Sequence, residues 1–140
     1  MDFSLDDKQK ELVSLAKEIA EKEIAPRALE IDKSGVMDPE LLQILKQSGM
    51  TSLAVPKEYG GPGIDLLTVA MITEELAKGC AGVATVCAAN ALASFPIVIA
   101  GTEQQKEDYF GSLNEGGIAC FALTEPGAGS DAGAVSCRAK

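Results

Sequence analysis

Between Thr124 and Asp131 the sequence reads TEPGAGSD, which gathers two hydroxyls, two carboxylates, two glycines and a proline into one short stretch. Backbone N–H groups at Gly127, Gly129 and Ser130, with a helix start at Ser130 to Asp131, could hold phosphate oxygens without a basic residue. A plain turn has the same composition, so the residues alone leave both readings open. A dinucleotide fingerprint built from Gly127, Gly129 and Gly133 fails on context. That motif needs a following helix, a second strand and a later acidic residue, and only seven residues follow Gly133. Glu125 stands before a proline in a tight turn, where a carboxylate supports backbone more readily than it acts as a base, and Asp131 reads as a helix cap.

The remaining chemistry is limited by what the chain omits. It has no histidine, which removes Ser-His-Asp and Cys-His catalysis, and Cys80, Cys87, Cys120 and Cys137 show no CxxC spacing. The reading is free thiols in a reducing compartment, and no metal site. A formal charge of −9 with no Lys/Arg cluster argues against nucleic acid or an anionic membrane as main partner. A bound phosphate would therefore rely on backbone amides. The glycine-rich YGGPG from Tyr59 to Gly63 lacks a preceding strand and a GK[ST], so it reads as a structural connection. MDFSLDDKQKEL has neither a basic nor an apolar leader region, which gives a cytoplasmic expectation.

Helices must carry these loops. Leu12, Leu15, Ala16 and Ile19 recur at helical spacing from Asp6 to about Ala25, where Pro26 marks a kink or break. Asp38-Pro39 starts a second helix that Gly49 ends, and Asp65 caps a third whose core positions are Val69, Ile72, Leu76 and Ala77, stopped by Gly79. The stretch from about Ala81 to Ala100 is apolar nearly all round and predicts the buried centre of a bundle rather than a membrane span. Thr102 and Gln105 form a capping box for a helix ending near Leu113. The pattern then changes: IACFALT, Ile118 to Thr124, reads as a buried strand, and AVSCRAK as the start of another. The fold class expected is mainly α, an all-α domain over residues 1–116 and the first strands of a β-domain over 117–140.

Several stretches together resemble the flavin-dependent acyl-CoA dehydrogenases: VPKEYGG, TEELAK, FPIVIAGTEQQKEDYF and CFALTEPGAGSDAGA. The resemblance covers the whole chain as the N-terminal part of that family, and the segment from Gly82 to Ser130 is most similar to medium- and short-chain members. It implies that Phe121, Leu123 and Thr124 lie against FAD, and that Gly129 and Ser130 meet its pyrophosphate. Ser130 would also lie beside bound acyl-CoA, and the helix bearing Ala88, Ala89 and Ala91 would line the acyl slot, so that the size of Ala88 bears on chain length. The implied reaction is α,β-dehydrogenation of an acyl-CoA to the trans-2-enoyl-CoA, with electrons passed from FAD to electron-transfer flavoprotein in a homotetramer. The family's catalytic base comes from a later region, so no catalytic residue is assigned here. The alternative, if the chain ends at Lys140, is a non-catalytic helical interaction module.

Overall fold

Asp6 opens the first helix as a reciprocal cap, its carboxylate accepting the Gln9 N–H at 2.8 Å while its own N–H donates to Gln9 Oε1 at 3.0 Å. The structure, a computed structural model, describes residues 4–138. Helix α1 is Asp7–Ile19 and buries Ala16 and Ile19, whereas Leu15, which shares their helical spacing, is 38% exposed. Gln9 also donates to Asp65 Oδ2 and Thr68 Oγ1, at 3.2 and 3.0 Å. The caps of the first and third expected helices are thereby joined.

Pro26 kinks the chain without ending it. A π-turn over Ala20–Ile24 and a 3-10 turn over Ala25–Arg27 carry it into α2, Ala28–Ser34. The widened turn accommodates a proline that cannot donate to the helical ladder. Helix α2 was not anticipated, because its apolar periodicity is weak, and Gly35 closes it at φ +66°. Arg27 pins this bend to the next helix, donating to Glu23 at 2.8 Å and meeting Asp38 Oδ2 at 3.0 Å.

Helix α3, Pro39–Gln47, begins as expected: the Asp38 carboxylate accepts the Glu40 N–H at 2.9 Å. Helix α4, Leu66–Gly79, is capped by Asp65 on the Thr68 N–H at 2.9 Å and buries Thr68, Ile72 and Leu76. Ala77 faces outward, contrary to its expected core position. Gly79 is the last residue of α4, and its bareness serves packing: a Cβ there would lie 2.9 Å from Ala20 O and 3.0 Å from the Ile24 side chain.

Helix α5, Ala81–Ala100, is only partly the buried centre that its composition predicted. Val83, Ala84, Cys87, Asn90, Ala91 and Ser94 face inward, while Leu92 is exposed and Ile99 is 82% exposed. By length and composition this helix could cross a membrane; in this fold one face packs on α4, and Asn90 at its middle is hydrogen-bonded within the chain. The main core joins α1, α3, α4 and α5 through Ala16, Leu41, Leu45, Ile72, Leu76 and Val83. Helix α6, Glu103–Asn114, has the expected Thr102–Gln105 capping box and buries Phe110 and Leu113 against Val55 in a second cluster. Tyr59 stacks on Phe110 with ring centroids 5.2 Å apart.

No strand occurs among the described residues, and the segment expected to be a buried strand lies at the surface, with Ile118, Phe121 and Leu123 exposed. A strand is defined by a neighbour's ladder, and residues 118–124 have none here. The expected strands are therefore not seen among the described residues, and the end of AVSCRAK lies outside them.

Candidate functional site

The path to the TEPGAGSD loop is fixed at its exit from α6. Gly117 N–H donates to Ser112 O at 2.9 Å, and a Cβ on Gly117 would sit 2.7 Å from that same oxygen. From the other side comes Asn90 of α5, which is 1% exposed. Its Nδ2 donates to Thr51 O at 2.7 Å and Gly117 O at 3.2 Å, and its Oδ1 accepts the Ala119 N–H at 2.7 Å. The C=O of one residue and the N–H two residues on point to the same side of an extended chain, so the carboxamide occupies the place of a neighbouring strand. Sequence reasoning missed Asn90. The one carboxamide within a largely apolar helix was the available signal, since a buried amide must find partners.

Beyond Thr124 the chain turns sharply. Glu125 and Ala128 exchange backbone hydrogen bonds at 3.0 and 3.1 Å across Pro126 and Gly127, and Ala128 is buried. The Glu125 carboxylate then reaches forward to accept the Ser136 N–H at 3.0 Å, the Ser136 hydroxyl at 2.9 Å and the Cys137 N–H at 2.9 Å. These donors, the Ser136 amide foremost, hold its carboxyl below the usual carboxylate range. The expectation that Glu125 supports backbone is met. The Asp131 side chain makes no cap bond, contrary to expectation; only a one-turn 3-10 helix, Ala132–Ala134, begins there, too short to need one.

Inside this closed loop the backbone is open. Among the described residues, the amides of Gly127, Gly129 and Ser130 and the hydroxyls of Thr124 and Ser130 have no hydrogen-bond partner. Neither Gly127 nor Gly129 takes a positive φ, and a Cβ at either would meet nothing within 4 Å. The chain's own packing and dihedrals therefore do not require glycine at these positions. What the missing side chains leave is access to the amides by an outside group, which fits a phosphate-bearing ligand. YGGPG contrasts with this: Gly60 and Gly61 N–H donate to Lys57 O and Pro56 O, both at 3.1 Å, and a Cβ on Gly61 would run into the Val55 carbonyl. That loop is a structural connection, as expected.

Phe121, Leu123, Thr124, Gly129 and Ser130 thus lie along one exposed segment, with Phe121 41% and Leu123 45% exposed. Ala88 is separate from them in sequence, half-buried on α5 two residues before Asn90. The four cysteines are free; burial pushes the Cys87 thiol up to about 12, while Cys120 and Cys137 are exposed.

A family model described as acyl-CoA dehydrogenase, N-terminal domain, matches residues 6–117. The acryloyl-CoA reductase (NADH) of Anaerotignum propionicum is 42% identical over 136 residues, covering 96% of this chain and 34% of that protein. Butyryl-CoA dehydrogenase from Megasphaera elsdenii has a similar structure, with a TM-score of 0.83 at 42% identity over 94% of this chain and 36% of its own. A chain from the structure of the electron transferring flavoprotein of Acidaminococcus fermentans gives a TM-score of 0.87 at 39% identity, over 96% of this chain and 36% of that one. The chain spans about a third of the length of the curated relatives it matches.

Proposed function

This chain belongs to the acyl-CoA dehydrogenase family, and from that premise we propose that it is the front part of an enzyme oxidising an acyl-CoA to its trans-2-enoyl-CoA. Residues 1–116 form the helical domain in this reading, and 117–140 begin the β-domain. FAD, when bound, supplies the redox chemistry. Phe121 and Leu123 offer it apolar side chains and Thr124 a hydroxyl, while Gly129 and Ser130 offer amides to its pyrophosphate. Ser130 and Ala88 serve the acyl-CoA, the first by its hydroxyl and the second by its small volume. The observation that carries the reading is the row of unpaired amides at Gly127, Gly129 and Ser130 on a loop held closed by Glu125. Because the Glu125 carboxylate is committed to Ser136 and Cys137, it is no base for the α-proton. Electron-transfer flavoprotein as acceptor and a homotetrameric assembly complete the proposal; the likeness to a chain from an electron transferring flavoprotein structure supports the former.

A second reading, reduction of the enoyl-CoA, is favoured by the name of the acryloyl-CoA reductase at 42% identity. The test uses the complete protein. FAD content is measured after purification, then dye reduction by acyl-CoA and enoyl-CoA consumption by the reduced enzyme, in the parent and in Ser130→Ala. Losing a hydrogen bond to a charged group costs about 1.5 to 3 kcal/mol, so Ser130→Ala should weaken FAD or acyl-CoA binding without unfolding. Unchanged affinity for both ligands overturns the role of Ser130, and a faster enoyl-CoA reaction selects the second reading.

A further inference from the structure

We propose that Asn90 is a positioning residue for the flavin-side segment, its carboxamide setting where residues 118–124 run relative to α5. The proposal rests on the reading that this segment seats FAD.

The geometry is specific to that task. Asn90 lies in the middle of a helix whose other polar side chains, Thr85 and Ser94, bond back to their own helix, whereas its own side chain spends none of its hydrogen bonds there. Its partners are 39, 27 and 29 residues away in sequence. Two of the three bonds bracket Ile118, one on the carbonyl before it and one on the amide after it. That pair fixes the rotation of the backbone about its own axis, and with it which side chains of the alternating row Ala119, Phe121 and Leu123 turn toward one face. The third bond, to Thr51 O, holds the carboxamide itself in orientation, and Thr51 is buried. The Ser94 hydroxyl donates to Asn90 O at 2.7 Å, which ties up the backbone of the same residue. An apolar side chain of equal size would fill the volume but would leave Thr51 O, Gly117 O and the Ala119 N–H without partners.

The experiment uses the complete protein and four forms: parent, Asn90→Leu, Gly117→Ala and Leu45→Ala. Gly117→Ala disturbs the same exit from the α6 side while keeping Asn90, because the new Cβ meets Ser112 O. Leu45→Ala damages the main core in α3 and serves as a matched loss of stability. Unfolding midpoints of the apoproteins, FAD dissociation constants and amide exchange at Ala119 are measured for each. Asn90→Leu and Gly117→Ala should raise the FAD dissociation constant about tenfold or more and speed Ala119 exchange, as expected for losing buried hydrogen bonds at the anchor. Leu45→Ala should lower the midpoint with little change in either. If FAD affinity falls equally in all three variants, Asn90 is a stability residue only and the proposal fails. Should Asn90→Leu not fold, Gly117→Ala decides on the same readouts. A parent that binds no FAD refutes the functional reading instead, and Ala119 exchange still decides whether Asn90 fixes the segment.

Discussion

Glu125 shows how one carboxylate can be read from local chemistry alone. It precedes a proline, its backbone starts a tight turn, and its side chain takes three donors from Ser136 and Cys137. Because the folded pKa is depressed, the closure it provides is fully present above the ordinary carboxylate range and is lost as pH falls through the lowered folded value. We expect the amide resonances of Ser136 and Cys137 to move together in that acidic window, and to stop doing so in Glu125→Gln. Titration at or above the ordinary glutamate value would contradict the clamp. Asn90 is the opposite case. Nothing within a few residues of it announces its partners, so only the fold could reveal them.

At the level of elements, the helix starts were legible because caps act over three or four residues: Asp38, Asp65 and Thr102 each bond where their sequence context placed them. The ends were less so. Gly79 reads as a helix stop, yet its need for a missing side chain comes from Ala20 and Ile24, far away in sequence. Gly79→Ala should therefore destabilise the packing of α4 on the π-turn by about 1 to 3 kcal/mol, despite alanine's better helix propensity. Thermal unfolding of the complete protein checks this, and a variant as stable as the parent would mean that the π-turn yields. Helix α2 escaped prediction because its apolar residues do not repeat at core spacing. Ala77 was misplaced because periodicity gives a face but not its width.

For the molecule as a whole, the sequence conveyed the helical body and the change of character after α6, but not that Leu66, Leu67, Leu92 and Ile99 would be exposed as Phe121 and Leu123 are. An apolar side chain announces a preference for cover, not what supplies it. Residues 1–140 made alone should give helical circular dichroism, associate through these surfaces and retain no flavin, with no acyl-CoA-dependent dye reduction. A yellow monomer that reduces dye would show that the rest of the family's length is dispensable. The Glu125 clamp has a further consequence in time. It joins residues only 11 and 12 apart, so the loop can close by local search, on the order of 10 to 100 ns for a ten-residue loop. Sheet pairing that depends on distant strands is far slower. During synthesis the amide-lined loop would be shaped soon after Cys137 is free of the ribosome, ahead of any slower pairing around it.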